Sequence, residues 1–177
     1  MNLLLVGFMA SGKTAVGRRL ARRLGYGFVD TDRWIEQEVG CTIAQLFESH
    51  GEPYFRRLET ELASHLHKLK NHIVSTGGGI LTAEGNLELL RRAGLVIFLN
   101  ADLEEILERL ERDTHRPKLM EGELRETVTR LLGERMPVYL QAEIALDTKG
   151  KSANRVAGDI IRLVARRKGE PEPAPGE

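Results

Sequence analysis

Near its N-terminus the chain reads Gly7-Phe8-Met9-Ala10-Ser11-Gly12-Lys13-Thr14, a match to the pattern GxxxxGK[ST]. An apolar run, Leu3 to Val6, precedes it and a helical pattern follows, which is the context such a loop requires. A loop of this kind turns successive backbone N–H groups inward, and the helix N-terminus behind it adds partial positive charge. The chemistry suited to it is phosphate binding. Lys13 would reach the β- and γ-phosphates of a nucleotide, and the Thr14 hydroxyl would ligate Mg2+. Residue 10 is alanine where many such loops carry glycine, so it is expected to keep a negative φ.

A phosphate loop alone fits switches, motors, transporters and small-molecule kinases, and other residues must choose among them. "FVDTDRW" places Asp30 and Asp32 at the carboxyl end of a second strand, where parallel sheets bind ligands. Alternate residues of an extended segment point the same way, so both carboxylates can face one cleft. One could hold Mg2+ through its waters and the other accept a hydroxyl proton, although an acid here can also cap a helix. "GEPYFRRLETE" sets Arg56 and Arg57 in an early helical turn with Glu59 following, and "ERMPVYLQAE" supplies Arg135, Pro137 and Tyr139. Two guanidinium groups aimed at one pocket would clamp a carboxylate, whereas each by itself is at home in a surface ion pair. "VSTGGGIL" ends a buried strand in Gly77-Gly78-Gly79, which lets backbone approach a ligand with no side chain between.

Something must hold these residues at one place. Short apolar runs at Asn2–Val6, Gly27–Val29, His72–Ser75, Leu95–Leu99 and Glu143–Leu146 alternate with helical patterns. That alternation predicts an α/β chain with a parallel sheet covered on both faces. Helices are predicted at Thr31–Val39, Thr42–Ser49, Pro53–Leu69, Leu87–Ala93, Leu103–Arg112 (with Asp102 as N-cap), Glu123–Arg135 and Ser152–Arg167. The helix after the first loop carries Val16, Leu20 and Leu24 on one side, and its four arginines read as a solvated face. "RDTHRPKLMEG", 112–122, breaks the helical pattern with Pro117 and reads as a flap over a site or as an ordinary exposed connection. The last residues, 168–177, are rich in Pro, Gly and Glu with no apolar face, and disorder is expected there.

The bulk properties exclude several classes. With 177 residues, 41% hydrophobic and 29% charged, the chain suits one globular domain, 1–167. A formal net charge of zero predicts no nucleic-acid or membrane-surface field. Cys41 stands alone, so no internal disulfide can form, and a half-buried spectator thiol is expected. The apolar start is too short to span a membrane and lacks a cleavage signal, which points to the cytoplasm. His50, His65, His67 and His72 show no spacing that would build a metal cage.

Taken in order and spacing, GFMASGKT, DTD, FRRLE, TGGG, HRPKL and RMPVY resemble the shikimate kinase family, from Asn2 to about Arg167. The resemblance implies a three-layer P-loop kinase fold: a five-stranded parallel sheet in the order 2-3-1-4-5, flanked by helices, with a mobile lid. It implies transfer of phosphate from ATP, with Mg2+, to the 3-hydroxyl of shikimate, on the route to chorismate and the aromatic amino acids. By matching motif, ATP would be held by Ala10, Ser11, Gly12, Lys13, Thr14 and Ala15, with Arg116 closing from the lid. Arg109 matches the position that packs against adenine, and Lys151 falls in the adenine loop, which here reads "TKGKSAN" without the proline often found there. Shikimate would be held by Asp32, Arg56, Gly77, Gly78, Gly79 and Arg135, with a shikimate-binding helical region at about 31–60. Asp32 is the implied base, Lys13 and Arg116 its catalytic partners, and Thr14 and Asp30 the metal residues, the latter through water. Family likeness suggests a monomer. The rivals are a gluconate or nucleoside monophosphate kinase of the same fold, and a nucleotide-binding switch without turnover.

Overall fold

A strand apolar at every position is stable only between two covering layers. β1 (Asn2–Val6) is apolar from Leu3 to Val6 and buried along its whole length, its one polar residue, Asn2, donating from its side-chain amide to the carbonyls of Leu69 and Ala93. Leu3 and Leu5 face one apolar cluster, which α1 (Lys13–Leu24) and α8 (Ala153–Lys168) complete with Val16, Leu20, Val156 and Ile160. Leu4 and Val6 point the other way, into a larger cluster containing Phe55, Leu62, Leu90, Phe98 and Tyr139. The period of two thus splits one apolar run between two cores.

This computed structural model describes residues 1–112 and 121–169. β1 is followed by α1, β2 (Gly27–Asp30), α2 (Thr31–Val39), α3 (Ile43–His50), α4 (Glu52–His65) and β3 (His72–Ser75). Then come α5 (Asn86–Ala93), β4 (Gly94–Asn100), α6 (Leu103–Glu111), α7 (Glu121–Tyr139), β5 (Ile144–Asp147) and α8. The sheet has five strands in the order β2-β3-β1-β4-β5, and each neighbouring pair is parallel. β1 lies between β3 and β4, so the chains leaving its two neighbours diverge and open a crevice at its carboxyl end.

The predicted strands and helices are all present, with ends moved by a few residues. Asp102 caps α6 as expected, accepting from the Glu104 N–H at 3.1 Å. α4 stops at His65, and a single 3-10 turn, Leu66–Lys68, follows it. α7 departs most, running through Pro137 to Tyr139 where a stop at Arg135 is predicted. Pro137 sits in the last turn, where its missing N–H removes one intrahelical bond, and Tyr139 is buried against Phe98 with ring centroids 5.0 Å apart. Packing outweighs the proline. No helix among the described residues is long and apolar enough to cross a membrane.

Candidate active site

The loop between β1 and α1 builds the centre of the crevice. Gly12 caps α1 in the left-handed region, at φ +92°, and Ser11 and Lys13 are buried behind it. Lys13 Nζ donates to the carbonyls of Gly7 at 2.8 Å and Phe8 at 2.7 Å. Burial pushes its pKa from 10.5 down to about 8, against the opposing pull of the Asp32 and Asp30 charges. Ala10 corrects the expectation of a negative φ: it stands at +59°. Turning the loop inward needs a reversed residue here, at a cost of roughly 1–2 kcal/mol for a side chain with a Cβ. Arg109 Nη1 donates to the Ala10 carbonyl at 2.9 Å and braces that conformation.

β2 passes straight into α2, and Asp30 does two jobs at the junction. Its Oδ1 accepts from the Arg33 N–H as N-cap, and its Oδ2 accepts from Thr14 Oγ1 at 2.8 Å. Asp32 lies two residues on, in the first turn of α2, and both acids line one cavity of about 400 Å3 with Lys13, Thr14, Gly78 and Arg109. Gly12 and Ala15 lie on the same wall. Asp32 Oδ1 is buried and, among the described residues, has no hydrogen-bond partner. Burial first and the Asp30 charge second push its pKa from 3.8 up to about 6, although Lys13 pulls the other way. A larger cavity of about 580 Å3 lies between α2 and α4, lined by Trp34, Leu58, Leu62 and other largely apolar side chains, and shares no lining residue with the first.

The loop after β3 brings the remaining parts together. Thr31, wholly buried between the two acids, accepts from the Gly77 N–H at 2.9 Å and pins the glycine run. A Cβ at residue 77 would stand 2.5 Å from Glu59 Oε1 and 2.6 Å from Asp32 Oδ1, so only glycine leaves both carboxylates in place. Glu59 is fully buried, binds Arg56 Nη1 at 2.6 Å, and is pushed up in pKa by burial. Glu52 binds the other side of the same guanidinium, at 2.6 Å. Arg135 Nη1 donates to the Gly78 carbonyl at 3.3 Å, beside Tyr139, whose hydroxyl donates to the same oxygen at 2.5 Å.

Acids, guanidinium groups and bare backbone therefore face one phosphate loop. A family model described as shikimate kinase matches residues 9–165 of the chain. The shikimate kinase of Caldanaerobacter subterraneus subsp. tengcongensis is 39% identical over 168 residues, covering 95% of this chain and 98% of its own length. That of Geobacter sulfurreducens is 44% identical over 163 residues, covering 92% and 90%. Among solved structures, shikimate kinase from Acinetobacter baumannii in complex with shikimate aligns with a TM-score of 0.88 and 38% identity, over 94% of each chain. The chain belongs to the shikimate kinase family.

Family membership makes the chain a kinase, and its sheet order is the P-loop kinase one expected. The residues expected to act together are largely adjacent: Lys13, Thr14, Asp30, Asp32, Gly78 and Arg109 share the cavity, with Gly77, Gly79, Arg56 and Arg135 near Asp32 and Gly78. Lys151 is not among the cavity-lining residues, and its ammonium is held by the Asp147 carbonyl at 2.9 Å and by Asp159 at 3.3 Å. Arg116 and most of the 112–122 flap lie outside the described residues, as does the tail beyond Gly169. Sequence reasoning gave no role to Thr31, Ser75, Glu59 or Tyr139. Ser75 Oγ lies 3.2 Å from Thr14 Oγ1, and the signal was its place at the end of β3, two residues before the glycine run. Glu59 and Tyr139 each follow a site arginine at helical spacing, three and four residues on, which puts them on the same face.

Proposed function

We propose that the chain transfers the γ-phosphoryl group of ATP to the 3-hydroxyl of shikimate, giving shikimate 3-phosphate and ADP in the chorismate pathway. The observation carrying this reading is the convergence of Asp32, Arg56, Gly77–Gly79 and Arg135 on the loop that holds Lys13 and Thr14. A ring carboxylic acid with several hydroxyls needs such a set: cationic forks for the carboxylate, acids and backbone for the alcohols.

In this reading Arg56 and Arg135 hold the carboxylate, and the Gly78 backbone holds a hydroxyl. Asp32 accepts the proton of the attacking 3-hydroxyl, and its raised pKa lies near the range in which a general base works well. Lys13 neutralises the β- and γ-phosphates, and Arg116 from the flap adds a second cation to the charge of the transferring group. Arg109 and the turn around Lys151 flank adenine. The described residues fit Mg2+: Thr14 and Asp30 offer hard oxygens side by side, and Mg2+ takes few protein ligands when phosphate and water complete its shell. Thr14 would hold the ion directly and Asp30 through water, and when bound it would screen the charge between the β- and γ-phosphates. The proposal includes a cytoplasmic monomer organised as one domain, 1–167.

An ADP-release assay with shikimate, gluconate and AMP as acceptors tests the reading. Turnover with shikimate alone is expected. Turnover with gluconate or AMP instead, or nucleotide binding with no acceptor-dependent turnover, would replace it with one of the rival readings.

A further inference from the structure

Glu105 stands one turn before Arg109 on α6 and spends its two oxygens on different elements. Oε2 accepts from Arg109 Nη2 at 2.8 Å, and Oε1 accepts from the backbone N–H of Gly150 at 2.6 Å, in the turn between β5 and α8. Arg109 then reaches the Ala10 carbonyl with its other terminal nitrogen. One carboxylate thereby links α6 to the turn at 148–151 and, through Arg109, to the phosphate loop.

Stability does not account for this arrangement. The Glu105 and Arg109 side chains are 25% and 39% exposed, and an exposed pair at this helical spacing adds little. The turn also has its own anchors. Thr148 N–H donates to the Asn100 carbonyl at 3.0 Å, Lys149 N–H to Asp147 Oδ1 at 3.0 Å, and Lys149 Nζ to Asp102 Oδ2 at 2.8 Å. What Glu105 alone adds is a fixed separation between the Gly150 backbone and the Arg109 guanidinium.

We infer that Glu105 is a positioning residue of the nucleotide-base subsite, setting the gap between the planar Arg109 guanidinium and the 148–151 turn into which a flat purine slides. The inference rests on the reading above, in which Arg109 and that turn flank adenine. A guanidinium stacks on an aromatic ring only while its plane is held, and a carboxylate gripping Nη2 holds it. Glutamine at 105 keeps an acceptor for one N–H but turns donor hydrogens on the other, so plane and gap cannot both be kept.

Dissociation constants of ATP and of inorganic tripolyphosphate, measured by calorimetry on the full chain, separate base placement from phosphate binding. For Glu105→Gln the ATP constant is expected to rise about tenfold, the loss of a charge-assisted contact. Tripolyphosphate affinity, shikimate KM and kcat at saturating ATP should stay within about twofold of the parent. Equal weakening of ATP and tripolyphosphate would overturn the inference, since the phosphate loop would then be what Glu105 supports. No change in either would overturn it as well. Arg109→Ala is the companion variant: if its ATP-to-tripolyphosphate ratio is unchanged, the adenine reading itself fails. If that ratio shifts while Glu105→Gln leaves it alone, only the role of Glu105 falls.

Discussion

Arg56 lies against Gly79 so closely that a Cβ on residue 79 would stand 2.3 Å from Nη1 and 2.4 Å from Nη2. The obstructed atoms are the end of a flexible side chain, and Gly79 has φ −109°, which an alanine can adopt. Gly79→Ala should therefore leave the fold intact and move the guanidinium. Steady-state kinetics should show the KM for shikimate raised about ten- to hundredfold, as for loss of a charged hydrogen bond, and the KM for ATP within about twofold. An unchanged shikimate KM would detach Arg56 from substrate binding.

Asp32 carries a cost in the folded chain. Its pKa rises to about 6 in the folded chain from 3.8, chiefly through burial, so the native state holds this proton more tightly than the unfolded one. The group's contribution to stability is then fullest below pH 4, declines between 4 and 6, and stays low above. Asp32→Asn should raise the Tm of the ligand-free protein by a few degrees at pH 8 and leave it unchanged near pH 4, while kcat falls about 10²–10⁴-fold. Thermal melts at the two pH values check the first part, and a variant destabilised at pH 8 contradicts it.

Lys13 makes the complementary prediction for binding. With a pKa lowered to about 8 it is half charged at that pH, and a triphosphate beside it favours the charged form. ATP binding at pH 8 should take up about half a proton, visible as a buffer-dependent enthalpy in calorimetry. Lys13→Met should abolish the uptake. Identical apparent enthalpies in buffers of different ionisation heat would refute it for the parent.

The layered fold was legible because it follows from local patterns: short, largely apolar strands, striped helices, and a cap such as Asp102 where the pattern turns polar. The phosphate loop was legible because glycine, lysine and threonine there each have one use. Ala10 was misread because its φ of +59° is set by closure of the loop and the brace from Arg109, ninety-nine residues away. The end of α7 was misread for a similar reason. Pro137 signals a stop locally, but Tyr139 reaches the Gly78 carbonyl sixty-one residues back and carries the helix on. Thr31 hides because a threonine between two acids has no local mark of burial.

Tyr139 and Arg135 share that carbonyl, which links two donors to one peptide. Tyr139→Phe leaves Arg135 to satisfy the Gly78 carbonyl, and its guanidinium, now 3.3 Å away, should close on that oxygen. The shikimate KM should rise severalfold in Tyr139→Phe and about tenfold or more in Arg135→Ala, with the ATP KM little moved in both. If Arg135→Ala instead raises the ATP KM and spares shikimate, the carboxylate clamp lies elsewhere. Arg116→Ala, by contrast, should cut kcat about 10²–10³-fold, the loss expected when one transition-state cation is removed.

The strand order has a further consequence. β1 carries the phosphate loop at the middle of the sheet, with β2 and β3 on one flank and β4 and β5 on the other. The groups assigned to the alcohol come mostly from the first flank, between Asp32 and Gly79, and those assigned to the base come from the second, between Glu105 and Lys151, with Arg135 reaching across. Such a division lets the two flanks diverge separately in evolution. A lineage could acquire a new acceptor by rewriting one side of the crevice while inheriting its energy source from the other.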